Sequence, residues 1–340
     1  MKPLLLPLCL ALFVAAPASA QYAGAFARYG FGARALSMGS ALTADVFGGA
    51  SPYHNPALAP DVPQQALEAS AAYMTFDRQL QHLQFAAPLR PRAGIAGGIV
   101  HAGVSEIDGR DGSGYHTEDY ATDEYLFFVA FGVRFSSRLT GGVGLRLYRS
   151  DLFEGVRPPT SLALSVGLTA RLSERLALGF AADDLLAKYD WDTSDVLGAG
   201  AGAVTDRFPT RLRAGAAYQV AGGRGVVSAE VEAQLETAEF REVSGIGTDI
   251  GFPVVEVTRE ELRLSTVMLR VGGELWLAEP FAVRVGYDRL GVGDFGEAMP
   301  SAGFALKQRF GDLDARLDYA ALLEPYGAGT MHSVTLHLGL

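Results

Sequence analysis

From residue 66 onward apolar and polar side chains alternate in one segment after another, and a period of two restricts the chain to a fold built from strands. Between 122 and 136, Tyr125, Phe127, Val129, Phe131, Val133 and Phe135 share one face, while Ala130, Gly132 and Arg134 share the other. Between 207 and 219, Leu212, Ala214, Ala216 and Tyr218 alternate with Arg211, Arg213, Gly215, Ala217 and Gln219. Comparable segments cover 66–76, 79–88, 92–105, 122–136, 138–149, 160–172, 174–185, 207–219, 224–236, 259–277, 280–290, 300–310, 312–322 and 331–340. They amount to about 14 strands, an even number as outer-membrane barrels favour.

The connections point the same way. Short turns at 88–91, 136–138, 173–175, 222–224, 278–280 and 310–312 alternate with polar loops at 106–121, 150–159, 186–206, 237–258, 291–299 and 323–330. Only the first hairpin, around Asp77 and Arg78, departs from the alternation. Short turns at one rim and long loops at the other are the signature of a transmembrane antiparallel β-barrel. A soluble sandwich or propeller would also alternate, with one face on a core and one in water. Against it, the polar faces of the third, fifth, sixth and seventh segments are mostly Gly, Ala, Ser and Thr, which suits a filled lumen. The last segment also puts Val334, Leu336, Leu338 and Leu340 on one face, resembling an outer-membrane assembly signal.

Composition closes several other routes. Lys2, the apolar run from Leu4 to Ala16 and the small residues Pro17-Ala18-Ser19-Ala20 predict a cleaved signal peptide over 1–20, with Gln21 as the mature start. The single cysteine, Cys9, would leave with it, so no disulfide or thiolate site is expected. Removing Lys2 leaves 27 basic against 38 acidic side chains, an acidic balance that argues against nucleic acid as a partner. No run beyond the leader approaches the ~18 apolar residues of a spanning helix. The organisation expected is signal peptide 1–20, an N-terminal luminal plug over 21–65 and a barrel over 66–340 in the outer membrane of a Gram-negative-type bacterium.

Strand 224–236 carries Ser228, Glu230, Glu232, Gln234 and Glu236 on its polar face. Its neighbours offer Arg211 and Arg213 on one side and Arg263 or Arg270 on the other, so a luminal charge ladder is expected. Arg263 and Arg270 share a face only if a bulge intervenes. Arg284, Asp288, Lys307, Arg309, Asp314, Arg316 and Asp318 add charge to the C-terminal half. The N-terminal half looks small, so the plug is expected to pack against the third to seventh strands.

Residues 32–60 are rich in glycine and alanine and punctuated by Pro52, Pro56 and Pro60, which oppose a regular sheet. Gly32-Ala33-Arg34-Ala35, Met38-Gly39-Ser40-Ala41, Tyr53 and Asn55-Pro56-Ala57 together resemble the N-terminal motif of the PorV/PorQ outer-membrane proteins, within the FadL-like barrel group. Arg207-Phe208-Pro209-Thr210 before an alternating run is similar to that family as well. Two positions depart from it: Val46-Phe47-Gly48 replaces paired acids, leaving Asp45 alone, and His54 replaces a tryptophan. The resemblance implies a 14-stranded barrel with an N-terminal segment in its lumen. Gly32, Arg34, Met38, Gly39, Asn55 and Pro56 are the plug-motif residues, with Arg34 as the charged contact, Glu230 or Glu232 as its partner, and Asn55 capping the exit.

Other patterns weigh less. Gly30-Phe31-Gly32-Ala33-Arg34-Ala35 matches a loose dinucleotide fingerprint but lacks the preceding strand and βαβ unit that would cradle pyrophosphate. Asp108-Gly109-Arg110-Asp111-Gly112 lacks full calcium-loop spacing, and His116 with Glu118 and Asp119 reads as a charged loop more readily than as a metal or acid/base site. His101 and His337 read as interfacial or luminal polar residues. No cofactor, metal or catalytic residue is expected. The resemblance implies either passage of hydrophobic small molecules or a part in type IX-like protein secretion and surface attachment. Partners would be outer-membrane lipid and either a hydrophobic ligand or secretion-system proteins. Trp191, Phe240, Ile246, Ile250, Phe252 and Val254 in two loops offer apolar surface to either. The alternatives are an outer-membrane hydrolase with His116 or His332 as base, or an open general porin.

Overall fold

A computed structural model describes residues 23–49, 51–152, 155–192, 194, 204–249, 252–290 and 297–340; the side chains of 237–249 and 252–265 are outside the description. The expected signal peptide over 1–20 and parts of the expected loops, 195–203 and 291–296, lie outside the described residues.

The strands are β1 (Ala66–Tyr73), β2 (Arg78–Leu89), β3 (Ala93–Arg110), β4 (His116–Arg134), β5 (Leu139–Asp151), β6 (Thr160–Arg171), β7 (Leu176–Leu185), β8 (Lys188–Trp191), β9 (Val204–Arg207), β10 (Thr210–Val220), β11 (Gly225–Asp249), β12 (Phe252–Ala278), β13 (Phe281–Leu290), β14 (Met299–Phe310), β15 (Leu313–Leu323) and β16 (Thr330–Gly339). All but β8 and β9 form a closed antiparallel barrel of 14 strands in which β1 pairs with β16 from Ala66↔Gly339 to Tyr73↔His332. Closure matters because an open edge would leave backbone groups unpaired in lipid. β8 and β9 make a separate two-stranded hairpin.

Alternation sets the two surfaces. In β6 exposed and buried residues alternate from Thr160 to Thr169, with Leu162, Leu164, Val166 and Leu168 outward and Ala163, Ser165 and Thr169 inward. The outward set continues through Phe127, Val129 and Phe131 on β4, Leu145 and Leu147 on β5, and Val334 and Leu336 on β16, forming an apolar exterior. No described helix is long and apolar enough to cross a membrane.

The short turns follow from local chemistry. Ser136 Oγ accepts from the N–H groups of Arg138 and Leu139, and Ser173 Oγ accepts from those of Arg175 and Leu176 in the same way. Gly222, Gly223 and Gly311 supply positive φ at two others. At the opposite rim three expected boundaries shift. Most of 106–121 belongs to β3 and β4, and most of 237–258 is a continuation of β11 and β12, because cross-strand pairing overrides the polar composition. Segment 186–206 contains β8 and the start of β9.

Residues 23–49 and 51–65 occupy the lumen. They form 3-10 turns at Ala25–Arg28 and Pro56–Asp61 and one short helix, α1 (Ala33–Ser37).

Candidate functional site

The plug is seated on a track of wall glycines. A Cβ at Gly94 would collide with Ala59, at Gly142 with Pro56, at Gly167 with Asn55, at Gly179 with Thr43, at Gly272 with Met38 and at Gly286 with Gly39. Gly39 itself has φ 58, and a Cβ there would lie 2.7 Å from the Tyr287 backbone. The Pro56–Asp61 turn rests on β2 to β6, whereas α1 rests on β13 to β16. The plug therefore spans the lumen and is not confined to the third to seventh strands as expected. The C-terminal wall offers glycines of its own between its charges.

Asn55 organises the middle of the plug. Its Oδ1 accepts from Ala57 N at 3.0 Å, capping the turn that Pro56 begins, and its Nδ2 donates to Thr43 O at 2.7 Å and to the wall carbonyls of Leu168 and Phe180, each at 3.3 Å.

Arg34 on α1 donates to Asp45 at 2.6 Å and to Glu274 on β12 at 3.0 Å. Glu274 also accepts from Arg284 at 2.6 Å, and Arg284 reaches Asp318 at 2.7 Å, which in turn holds Arg316 at 2.9 Å. The expected partners Glu230 and Glu232 are engaged elsewhere: α1 packs on β13 to β16, and Arg34 reaches the adjacent β12 at Glu274, which pairs with Val226, four residues along β11 from Glu230. Glu230 accepts from Thr43 N at 3.0 Å and Arg270 at 3.1 Å; Glu232 accepts from Arg270, which also binds Asp288 at 2.7 Å. Asp45, the single acid left in the plug motif, also accepts the N–H groups of Phe47 and Gly48 at 3.1 and 2.9 Å.

The ladder neighbours divide similarly. Arg213 is opposite Glu232 in register, yet its guanidinium binds Asp183 and the carbonyl of His54. Arg211 binds Asp184 at 2.8 Å. Glu236 is buried on the inward face. The β11–β12 ladder runs without a register shift from Glu230↔Arg270 to Thr237↔Arg263, so the bulge needed to put both arginines on one face is absent; the Arg263 side chain lies outside the described residues. Arg146, Asp183 and Asp184 bring charge into the N-terminal half, contrary to expectation. Arg146 binds Asp183 at 2.9 Å, Asp184 at 3.2 Å and Tyr53 O at 3.0 Å. Its inward parity between Leu145 and Leu147 was readable. The paired acids were not, since a register shift opposite Leu164 and Val166 and φ 59 at Asp184 turn both carboxylates inward.

These charges divide the lumen into two zones. Towards the long-loop rim, Phe26, Phe31, Tyr53, Phe128, Tyr148, Tyr189 and Phe208 form one buried aromatic cluster. Phe31 and Tyr53 lie 4.7 Å apart, and Tyr148 and Phe208 the same. Trp191 packs against this cluster and so is not free loop surface; the other apolar loop residues, from Phe240 to Val254, have side chains outside the described residues. Towards the short-turn rim a cavity of about 340 Å³ lies between the plug and β1, β2, β15 and β16.

The remaining histidines sit apart from the lumen path or serve its wall. His101 bonds Gln81 at 2.5 Å and Asp123 at 2.6 Å, His332 bonds Tyr319 OH at 2.7 Å, and His337 borders the cavity. His116 gathers with Asp108 and Asp119 at the exposed end of the β3–β4 hairpin, while Glu118 accepts from Tyr120 OH. The carboxylate of Asp108 raises the His116 imidazole above its ordinary range.

No protein-family model matches the sequence, and no curated protein matches it. Among solved structures, the chain is similar to the Pseudomonas putida toluene transporter TodX, with TM-score 0.58 and 14% identity over 91% of this chain and 96% of that one. The chain has the fold of that channel. It is also similar to the monoaromatic hydrocarbon channel CymD, with TM-score 0.55, 14% identity and coverage of 91% and 96%. A Pseudomonas aeruginosa FadL homologue aligns with TM-score 0.53 and 13% identity over 90% of this chain and 96% of that one. At this identity the likeness concerns the fold.

Proposed function

We propose that the protein is a non-enzymatic outer-membrane barrel that passes hydrophobic small molecules. The observation that carries the reading is the aromatic cluster inside the lumen, which gives an apolar solute a place to leave water. A water-filled general porin would need a polar, open interior. The described lumen is instead filled by the plug, which the charged belt pins. The apolar exterior supports an outer-membrane location. The FadL-like part of the sequence resemblance agrees with structural neighbours that are a toluene transporter and a monoaromatic hydrocarbon channel. The narrower PorV/PorQ assignment rests on the plug motif between Gly32 and Pro60.

Proteoliposome uptake of a labelled monoaromatic such as p-xylene tests the reading. Uptake above that of protein-free vesicles supports it. Absence of uptake, together with copurification of secretion components in mild detergent, would replace it with a docking role.

A further inference from the structure

The cavity at the short-turn rim has a chemistry of its own. Five residues on consecutive strands stand side by side in register: Gln84 on β2, Glu68 on β1, His337 on β16, Arg316 on β15 and Lys307 on β14. All five line the cavity, together with apolar surface from Phe31, Leu42, Val62, Ala86 and Trp276.

Two members of this row lack partners. The Gln84 side chain is 6% exposed and its Oε1 accepts no hydrogen bond. Among the described residues Glu68 has no lysine or arginine nitrogen within 4.0 Å; its one close basic neighbour is His82 Nδ1 at 3.7 Å, outside hydrogen-bond reach. His82 is itself buried between Phe31 and Phe128, with both ring nitrogens unbonded. Arg316, by contrast, is held by Asp318, and Lys307 is exposed at the rim. What the cavity lacks is therefore a donor at Glu68 and Gln84, beside an apolar wall. Glu68 is half-buried and faces the cavity, whereas Gln84 Oε1 is a buried acceptor without a donor, which is costly, and filling it rewards the ligand that brings one.

We infer that this cavity binds an apolar molecule carrying one hydroxyl donor, of the size of a substituted phenol, with its ring against Phe31, Leu42 and Val62 and its O–H donated to Glu68 or Gln84. A cavity of 150 Å³ already admits benzene, so about 340 Å³ admits a substituted ring with room to orient. This rests on the passage reading and narrows its substrate class. Selectivity follows because a site built to pair with a hydroxyl rejects the analogue lacking it.

The test is isothermal titration of the detergent-solubilised protein with p-cresol, p-xylene and p-toluate. The expected result is p-cresol binding roughly tenfold or more tighter than p-xylene. Glu68→Leu and Gln84→Leu should each shrink that preference to about twofold while p-xylene affinity stays within a factor of about two. Heat-modifiable gel mobility checks folding, and Gln84→Leu serves if Glu68→Leu does not fold. Equal affinity for the first two probes, a preference surviving in the folded variants, or tighter binding of p-toluate at the Arg316–Lys307 side would overturn the inference. Proteoliposome uptake of p-xylene separates the two readings. Uptake without hydroxyl preference sinks the site alone, and hydroxyl preference without uptake of either neutral probe sinks passage alone.

Discussion

Arg34 shows what one side chain does here. It joins Asp45 of the plug to Glu274 of the wall, with all three buried. Arg34→Met would leave Glu274 with Arg284 and Asp45 with two backbone donors, so the expected cost is about 3 kcal/mol, the low end for breaking a buried pair. Hydrogen exchange at residues 33–48 should accelerate by about a hundredfold, while β3 to β6 stay protected; unchanged exchange at the plug would contradict the assignment. His116 gives a pH-dependent case at the exposed hairpin end. Its raised value, with the lowered value of Asp108, means that the charged contact is complete between the Asp108 value and that of ordinary histidine, is lost as pH rises through the raised His116 value, and is lost again when acid protonates Asp108. NMR titration should place His116 above ordinary histidine, and Asp108→Asn should lower it, with Asp119 left as the remaining acidic neighbour. The motif singled out Arg34, but its wall partner lies 240 positions away. Only the orientation of α1 against β13 to β16 decides between Glu274 and Glu230.

Among the elements, the plug is the one whose seat is most sharply tested by sterics. Gly272→Val puts a branched side chain where the Met38 carbonyl lies, and no rotamer relieves a clash that begins at Cβ. Planar-bilayer recordings should show the intact protein closed, Gly272→Val intermittently conducting, and deletion of 23–60 stably open. Stable conductance of the intact chain would contradict the seal. Strand existence was legible from period-two alternation, as β6 and β16 show. Strand ends were less so, since β3, β4, β11 and β12 run on into polar sequence that composition assigns to loops. The bulge that turns both Asp183 and Asp184 inward is a property of a pairing register, which no single strand contains.

For the whole molecule, closure is the decisive event. β1 and β16 are the two ends of the strand series, and eight registered pairs join them. Ending the chain before Thr330 would leave β1 and β15 as open edges. The expected result is loss of the heat-modifiable folded band in gels, and a compact band from the truncated chain would contradict closure as the stabilising step. Alternation by itself determined a two-faced sheet with an apolar outside, and the glycines and prolines of residues 32–60 determined that this stretch would not join it. Both properties are local, since they depend on which neighbours along the chain share a face or can adopt a given backbone angle. The tertiary structure alone decided which charges meet, that Gln84, Glu68, His337, Arg316 and Lys307 form one row, and that a cavity lies against it. Those outcomes depend on the register of strands far apart in sequence and on the rotation of the plug, where a shift of one residue would turn each side chain to the other face.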